Sequence, residues 1–439
     1  MANTTPAALR NDLVTIFRAA LAAVDPLHLV ARHLVREGSE VSVHAAGGAA
    51  VWRSPTLIVG AGKAAACMAK ACEEILGVEN VRGHVVVADG CRSETQSITV
   101  AEAGHPLPDK RGAQATRRIV HLVKSPRARA VLCLVSGGAS SLLVQPRPPL
   151  RLADKLRTTQ LLLDCGADIS EINCVRKHLS TVKGGGLARL AAGQLTGLLI
   201  SDVVGDDPAT IGSGPTAPDT TTFADAWSVL ERYDLTKHVP VRVAQLLRDG
   251  MHGRAAETMK PDSPEAGRCY NVVIGSNRTA LEAAARAARG AGWHVVLEAQ
   301  ALTGNTTAAA RRFGARLREL AQLRRPLALL AGGETTVRVR GRGRGGRNQE
   351  FALALVHEVA GAPVAVLSAG TDGVDGPTDA AGAFVDGTTL ERVRTHDLNA
   401  EAALANNDSY TFFAQLGDLY RCGPTGTNVM DLKIALVTA

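Results

Sequence analysis

The sequence predicts an α/β protein: a doubly wound, mostly parallel sheet domain, then a linker, then a second α/β domain. Three observations carry this. Thr56 to Ala69 reads TLIVGAGKAAACMA, an apolar run that stops at a glycine turn and continues as an Ala-rich helix former. Short apolar runs of this kind alternate with stretches of helical periodicity, the pattern of repeated strand–helix units and a parallel sheet. The pattern lapses over 251–268, MHGRAAETMKPDSPEAGR, which is polar and holds two prolines, and then restarts.

Residues 7–37 carry helical periodicity, with Leu9, Leu13, Ile16 and Phe17 on one face and Leu27, Leu29 and Val30 after Pro26. VSVHAAGGAAVWR is expected to form a hairpin or an edge segment. Strands are expected at 57–59, 84–88, 130–135 and 197–201, and helices from the glycine turn to about 76, near 111–124 and near 151–165. The stretch 89–110 reads as a loop, and 251–268 as a linker or surface excursion. Past it come strand 271–275, helix 277–290, strand 293–298, a strand at 327–331, a strand-like VRVR at 337–340, helix 348–360, strand 363–368 and a last strand at 433–437.

Length and composition bound the rest. A chain of 439 residues is long enough for two or three domains with real cores. Ala, Gly and Arg are abundant, so the net charge of +7 says little about partners; a modest basic excess suits an acidic small molecule as well as nucleic acid. The eight cysteines form no CxxC pair and no zinc-ligand spacing, and are expected to be reduced core residues of a cytoplasmic protein. No basic segment followed by an apolar one opens the chain, and no run of 18 uninterrupted apolar residues occurs, so neither a signal peptide nor a membrane span is expected.

Several segments could carry chemistry. In Gly60-Ala61-Gly62-Lys63 the turn would aim backbone N–H groups and a helix dipole at one spot, and Lys63 would add a full charge there. A basic residue in a first helical turn opposes the dipole, which hints at an anionic ligand. The P-loop pattern fails, because Ala64 stands where a hydroxyl is needed. Gly60, Gly62 and Ala65 fit the GxGxxA dinucleotide pattern, with Asp89 closing the next apolar run. Phosphoryl transfer and hydride transfer therefore both remain open at this point.

SGGASSLL offers Ser136, Gly137, Gly138, Ser140 and Ser141 after a strand, with glycines for close approach and hydroxyls for an anion. Asn173 to Ala188 places Arg176 and Lys183 seven apart on one helical face before a triple glycine, while His178 reads as structural. SDVVGDDPATIGSGPT sets Asp202, Asp206 and Asp207 beside Gly212-Ser213-Gly214, a second anion cradle. Acidic and anion-binding groups side by side suit a Mg²⁺–phosphate ligand. The RGG-like run before Arg347 and Asn348 reads as a hairpin tip rather than an RNA-binding segment, and Arg347 at a helix start could clamp a carboxylate or phosphate. Asp372 stands at another strand's carboxyl end, and Gly423 to Asp431 is one more Gly/Thr loop.

Taken in order, VGAGKAA, AGHPLPD, LVSGGASSLL, INCVRKHLSTVKGGGLA, SDVVGDDPATIGSGPT, GGETTV, GRNQE, SAGTDGVDGPTDAAGA and GPTGTNVMDL resemble the glycerate 2-kinase family with its C-terminal MOFRL domain, from about residue 10 to the end. The resemblance implies a Rossmann-like domain over 1–250, a linker at 251–268 and a smaller MOFRL-type α/β domain over 269–439, with the site in a cleft between the domains. It implies transfer of the ATP γ-phosphoryl group to O2 of D-glycerate with Mg²⁺. Some members carry a hydroxypyruvate reductase label, so an NAD(P)H-dependent reductase using Gly60–Ala65, with Asp89 on the ribose, is the alternative. Lys63 and Arg347 match the family's lysine and arginine. With Asp202 they form the expected catalytic set, and Asp206 and Asp372 the expected metal carboxylates. Glu334 and Asn348, in the GGETTV and GRNQE motifs, join the glycines, serines, Arg176 and Lys183 as expected substrate and nucleotide contacts. The expected partners are D-glycerate and ATP, with no nucleic acid and no membrane, and the reading leaves room for a homodimer.

Overall fold

The computed structural model describes residues 5–45 and 48–438. Contacts divide the chain into two units, one made of Met1–Asp25 with Gly275–Ala439 and the other of Pro26–Ile274.

The contiguous unit opens with a small antiparallel sheet of β1 (Leu34–Glu37), β2 (Glu40–Ala45) and β3 (Gly48–Arg53). Residues 46 and 47, the tip of the expected hairpin, lie outside the described residues. The helical periodicity read over 7–37 is two helices, Pro6–Ala23 and Pro26–His33, divided at Pro26, and its last residues form β1. Pro26 cannot donate an internal helix hydrogen bond, so it starts a helix rather than continuing one.

The main sheet follows: β4 (Thr56–Ala61), β5 (Val81–Ala88), β6 (Ile98–Ala103), β7 (Ala130–Val135), β8 (Gln194–Ile200) and β9 (Cys269–Gly275), in the order β6-β5-β4-β7-β8-β9. The pairings from β6 through to β8 are all parallel. β4 and β7 are buried throughout, as strands covered on both faces must be. The order runs outward from β4 in both directions. Between β4 and β7 successive connections go to opposite sides, which leaves a crevice at their carboxyl ends. β6 lies inside the stretch expected to be a loop. Its first N–H groups are gathered by Glu73, whose carboxylate accepts from Gln96 N (2.8 Å), Ser97 N (2.7 Å) and Ile98 N (2.8 Å).

The segment 251–268 belongs to this unit. Met259 is fully buried and exchanges backbone bonds with Gly184 and Asp219, and Glu257 accepts from Phe223 N and meets His178 Nε2 at 3.2 Å. His178 thus has its acidic partner, 79 residues away.

The other unit holds a mixed sheet: β10 (His294–Leu297), β11 (Leu302–Asn305), β12 (Leu327–Thr336), β13 (Val364–Gly370), β14 (Gly382–Asp386), β15 (Leu419–Tyr420) and β16 (Asp431–Val437). The order is β10-β12-β16-β13-β14-β15, with β11 also on β12. β10 and β11 run parallel to β12, and the remaining pairs are antiparallel. The N-terminal helix Pro6–Ala23 is part of this unit, packed on the helix Asn277–Gly290 and on β13 and β16 with Leu9, Leu13, Ile16 and Phe17 buried. Arg10 reaches Asp418 at 2.7 Å and Asp386 at 3.1 Å. The domain boundary expected at the linker therefore meets a contact division that falls after Ile274 and returns the first 25 residues to the second half. VRVR at 337–340 carries no strand; its place is explained below.

Candidate active site

At the carboxyl ends of β4 and β7 the backbone is tightly interlocked. Gly60 has no room for a side chain, since a Cβ there would sit 2.2 Å from Leu134 O on β7. Gly62, with φ +135°, takes a conformation that L side chains rarely adopt, against Ser136. Gly62 N bonds Val86 O (3.1 Å), Lys63 N bonds Gly137 O (2.8 Å) and Ala64 N bonds Ser136 Oγ (3.0 Å). The expected backbone anion cradle is thereby replaced by a strand-to-strand clasp. Gly60, Gly62, Ser136 and Gly137 build the floor. Asp89 is held bidentately by Arg111 at 2.7 and 2.8 Å rather than presented to a ribose.

What the floor presents is side chains. Lys63 is half-buried, and its stem lies beside Gly138, whose φ of +86° turns the loop. A Cβ on Gly138 would meet the imidazole of His105 at 3.0 Å and Lys63 Cγ at 3.7 Å, so these two side chains converge over one peptide. Asp202, at the end of β8, accepts from Gly138 N. Burial pushes the Asp202 carboxyl above the usual aspartate range, and the charge of Lys63 and the Gly138 N–H pull the other way. His105 was not singled out as a site residue, although its motif was visible. The signal that could have found it is a histidine just past a strand's carboxyl end.

The second cluster of this unit joins the SGGASS and IGSG loops. Ser140 Oγ and Ser213 Oγ are 2.7 Å apart, and Ser213 donates to Asn173 Oδ1 at 3.1 Å. Lys183 Nζ donates to Gly212 O (3.1 Å), and Arg176 Nη2 to Ser140 O (3.1 Å). Here too the expected cradle differs: Ser213 N and Gly214 N close turns onto Thr210 O and Ile211 O, and Ser141 Oγ bonds Gly138 O. The anion-binding capacity rests in cations and hydroxyls, not in backbone N–H groups. Burial pushes Arg176 down, and burial with the charges of Arg176 and Lys155 pushes Lys183 well below the usual lysine value.

In the mixed-sheet unit, Arg347 opens the helix Arg347–Leu355. Its Nε and Nη2 bond both oxygens of Asp431, at 2.8 and 2.9 Å, and its Nη1 meets Glu334 Oε1 at 2.7 Å. Asp431 is fully buried, whereas Glu334 is exposed. The expected anion position at this helix's N-terminus is occupied by Asp375, which accepts from Asn348 N (3.0 Å) and Gln349 N (2.9 Å). Asn348 is fully buried, and its side chain bonds Ser368, Asp375 and Lys433. It therefore lies beneath the surface as a support, not at it as a contact.

The arginine-rich run before it is pinned rather than free. The N–H groups of Arg340 and Gly341 bond Asn407 Oδ1, that of Arg342 bonds Asn406 Oδ1 and that of Arg344 bonds Asp408 Oδ1. Side chains added at Gly341, Gly343, Gly345 or Gly346 would collide with 406–409 or Asp375. This accounts for the glycine spacing and for the missing strand and hairpin tip.

Asp206, half-buried at φ +54°, and Asp372, half-buried with Oδ1 accepting from Val374 N, stand in different units. Asp207 is taken up in capping its own turn at Ala209 N and Thr210 Oγ. Among the described residues no three His, Cys, Asp or Glu side chains group as a metal site. Mg²⁺ typically takes one or two protein carboxylates and completes its shell with phosphate oxygens and water, so single carboxylates such as Asp206 fit it. Among the described residues no single helix is long and apolar enough to cross a membrane.

Comparison with known proteins gives concordant matches. Residues 12–248 match a family described as a domain of unknown function, DUF4147, and residues 327–431 match the MOFRL family. A Pyrococcus horikoshii protein named glycerate 2-kinase is 41% identical, with 87% of each chain covered. An Agrobacterium vitis protein provisionally labelled hydroxypyruvate reductase is 38% identical over 98% of this chain and 94% of its own. The crystal structure of a glycerate kinase from Thermotoga maritima superposes with a TM-score of 0.85 at 36% identity, covering 99% of this chain and all of that one.

Proposed function

The chain belongs to the glycerate 2-kinase family, and from that premise we propose that it transfers the γ-phosphoryl group of ATP to O2 of D-glycerate, giving 2-phosphoglycerate and ADP. The observation that supports the reading is that Lys63 and Asp202 converge on Gly138, close enough for the lysine's charge to act on the carboxyl, at the crevice where an open parallel sheet takes its ligand.

Phosphoryl transfer asks a protein for position and charge more than for covalent chemistry. Asp202, its carboxyl raised by burial, accepts the O2 proton as the hydroxyl attacks the γ-phosphorus. Lys63 balances the charge on the transferring oxygens. Asp206 is the carboxylate of this unit proposed for Mg²⁺ and Asp372 that of the other; a bound Mg²⁺ would supply positive charge for the phosphate oxygens. In the other unit, Asp431 fixes the guanidinium plane of Arg347, and the exposed Glu334 meets its Nη1. Cytoplasmic residence belongs to the same proposal, and the eight unpaired cysteines are consistent with a reducing compartment.

The test is purified protein with D-glycerate, ATP and Mg²⁺, with the phosphate position read by NMR. 2-Phosphoglycerate is expected, and Lys63→Ala should lower kcat by about 10²-fold or more. Near-native turnover by that variant would remove Lys63 from the mechanism. Absence of phosphoryl transfer alongside NAD(P)H oxidation with hydroxypyruvate would replace the kinase by the reductase.

A further inference from the structure

One buried cation has no place in the mechanism above. Lys155 sits in the first turn of the helix Leu152–Asp164, where a positive charge opposes the helix dipole. It is 5% exposed, and its Nζ has no hydrogen-bond partner. An ammonium left unpaired in a protein interior is costly, so its retention calls for a partner that arrives from outside.

The surroundings say which kind. Lys155 packs within electrostatic reach of Arg176 and Lys183, the two cations that hold the SGGASS and IGSG loops. Among the described residues no carboxylate pairs with any of the three. The other charges of the helices packed here are engaged elsewhere. Glu171 is held by Arg232 and Tyr233, Lys177 by Asp219, and His178 by Glu257. Arg242 faces Asp154, Arg248 covers the Trp227 ring, and Asp249 holds Arg254. On Lys155's own helix, Asp154 caps Arg151 N and Asp164 takes Gln160. Three basic side chains without a counter-charge overmatch a monocarboxylate such as glycerate and suit a ligand with several negative charges, which would charge all three. Arg176 and Ser140 are partly exposed, whereas Lys183 and Lys155 are buried.

We propose that Lys155, Arg176 and Lys183 form a polyphosphate subsite, with Lys155 as the buried cation that the bound phosphate oxygens complete. This rests on the kinase reading and deepens it, by placing the nucleotide's phosphate chain on these three residues. A consequence follows for protons. Burial and the neighbouring Arg176 push the Lys155 ammonium down to about 7, so in the empty protein it is mostly neutral at pH 8. A polyanion restores its charge, so binding takes up a proton at Lys155, and Lys183, also pushed down by burial, adds to the uptake.

Isothermal titration of the full chain with inorganic tripolyphosphate at pH 8, in two buffers of different ionisation enthalpy, reads affinity and proton uptake together. The wild type is expected to take up at least one proton. Lys155→Met should bind at least tenfold more weakly with a smaller uptake, Lys155→Arg should recover most of the affinity, and D-glycerate binding should stay within twofold. Tripolyphosphate binding by Lys155→Met within twofold of wild type overturns the proposal. So does loss confined to D-glycerate, and so does a wild type that takes up no proton, a result that needs no variant to fold. Lys155-dependent tripolyphosphate binding in a protein that makes no 2-phosphoglycerate would keep the subsite and remove the kinase reading.

Discussion

Replacing Asp431 by Asn tests how the mixed-sheet unit holds its arginine. Asp431 is 0% exposed and accepts two bonds from Arg347, at 2.8 and 2.9 Å, while Lys433 Nζ lies 3.4 Å from it. The substitution keeps the shape but removes the anion, and it turns one acceptor into an NH₂ group facing N–H donors. It also strips Lys433, 1% exposed, of the charge that supports its ammonium against burial. Breaking a buried ion pair by removing one partner costs about 3–5 kcal/mol. For a folding unit of this size each kcal/mol moves Tm by roughly 2–4 °C, so the transition should fall by roughly 6–20 °C. The pH dependence has a definite sign. Burial pushes the Asp431 carboxyl up, but Lys433 and Arg347 outweigh it and hold the group below the usual aspartate value. A depressed carboxylate stabilises above its unfolded pKa and loses that contribution as pH falls through its folded one. The gap between wild type and Asp431→Asn should therefore be full at pH 7 and close only in strong acid. Scanning calorimetry at pH 7 and pH 3 reads both. A drop at pH 7 of less than about 2 °C would refute the reasoning, since that is what an exposed pair contributes.

Two further outcomes are expected. Glu73→Gln leaves Gln96 N facing a donor in place of a carboxylate that now serves Gln96, Ser97 and Ile98. It should cost about 2–4 kcal/mol and speed amide exchange at the start of β6; unchanged protection of Ile98 would show that the carboxylate is not what pins this strand. For Lys155, burial and Arg176 set the folded value at about 7 against 10.5 for an ordinary lysine. Folding therefore releases a proton in that window, and unliganded stability should rise more steeply with pH from 7 to 10 in the wild type than in Lys155→Met, which keeps only the contribution of buried Lys183. Below pH 7 the variant should be the more stable of the two, and parallel stability–pH curves in urea melts would contradict this.

The parallel sheet was legible because its buried strands are apolar runs closed by small or polar residues, as at Val59-Gly60, Ala88-Asp89 and Val135-Ser136. β6 was not, because ITVAEA is interrupted by Thr99 and Glu102 and its start is held by Glu73, a residue of the helix Ala65–Leu76. The glycine turns advertised anion binding, but local sequence cannot say which N–H groups a neighbouring strand will claim. Ser136 Oγ and Gly137 O take those of Ala64 and Lys63 across 72 and 74 positions. The same limit hid the Arg347–Asp431 pair, the anchoring of 340–344 by Asn406, Asn407 and Asp408, and the role of Glu257 beside His178. Lys155 escaped notice because DKLR reads as any amphipathic helix start; only its burial without a partner sets it apart.

The return of residues 6–23 to the C-terminal half has a consequence for biosynthesis. Leu9, Leu13, Ile16 and Phe17 bury against the helix Asn277–Gly290 and strands that end at Val437, so the first helix made is among the last to find its neighbours. At about 5–20 residues per second of synthesis, that apolar face waits on the order of 10 to 100 seconds, during which the contiguous unit Pro26–Ile274 can fold on the ribosome. The helix is thus a natural client for holding factors on the nascent chain. A fragment beginning at Pro26 and stopping at Ile274 is the piece the topology allows to be cut out whole, whereas one beginning at Gly275 would lack part of its own core.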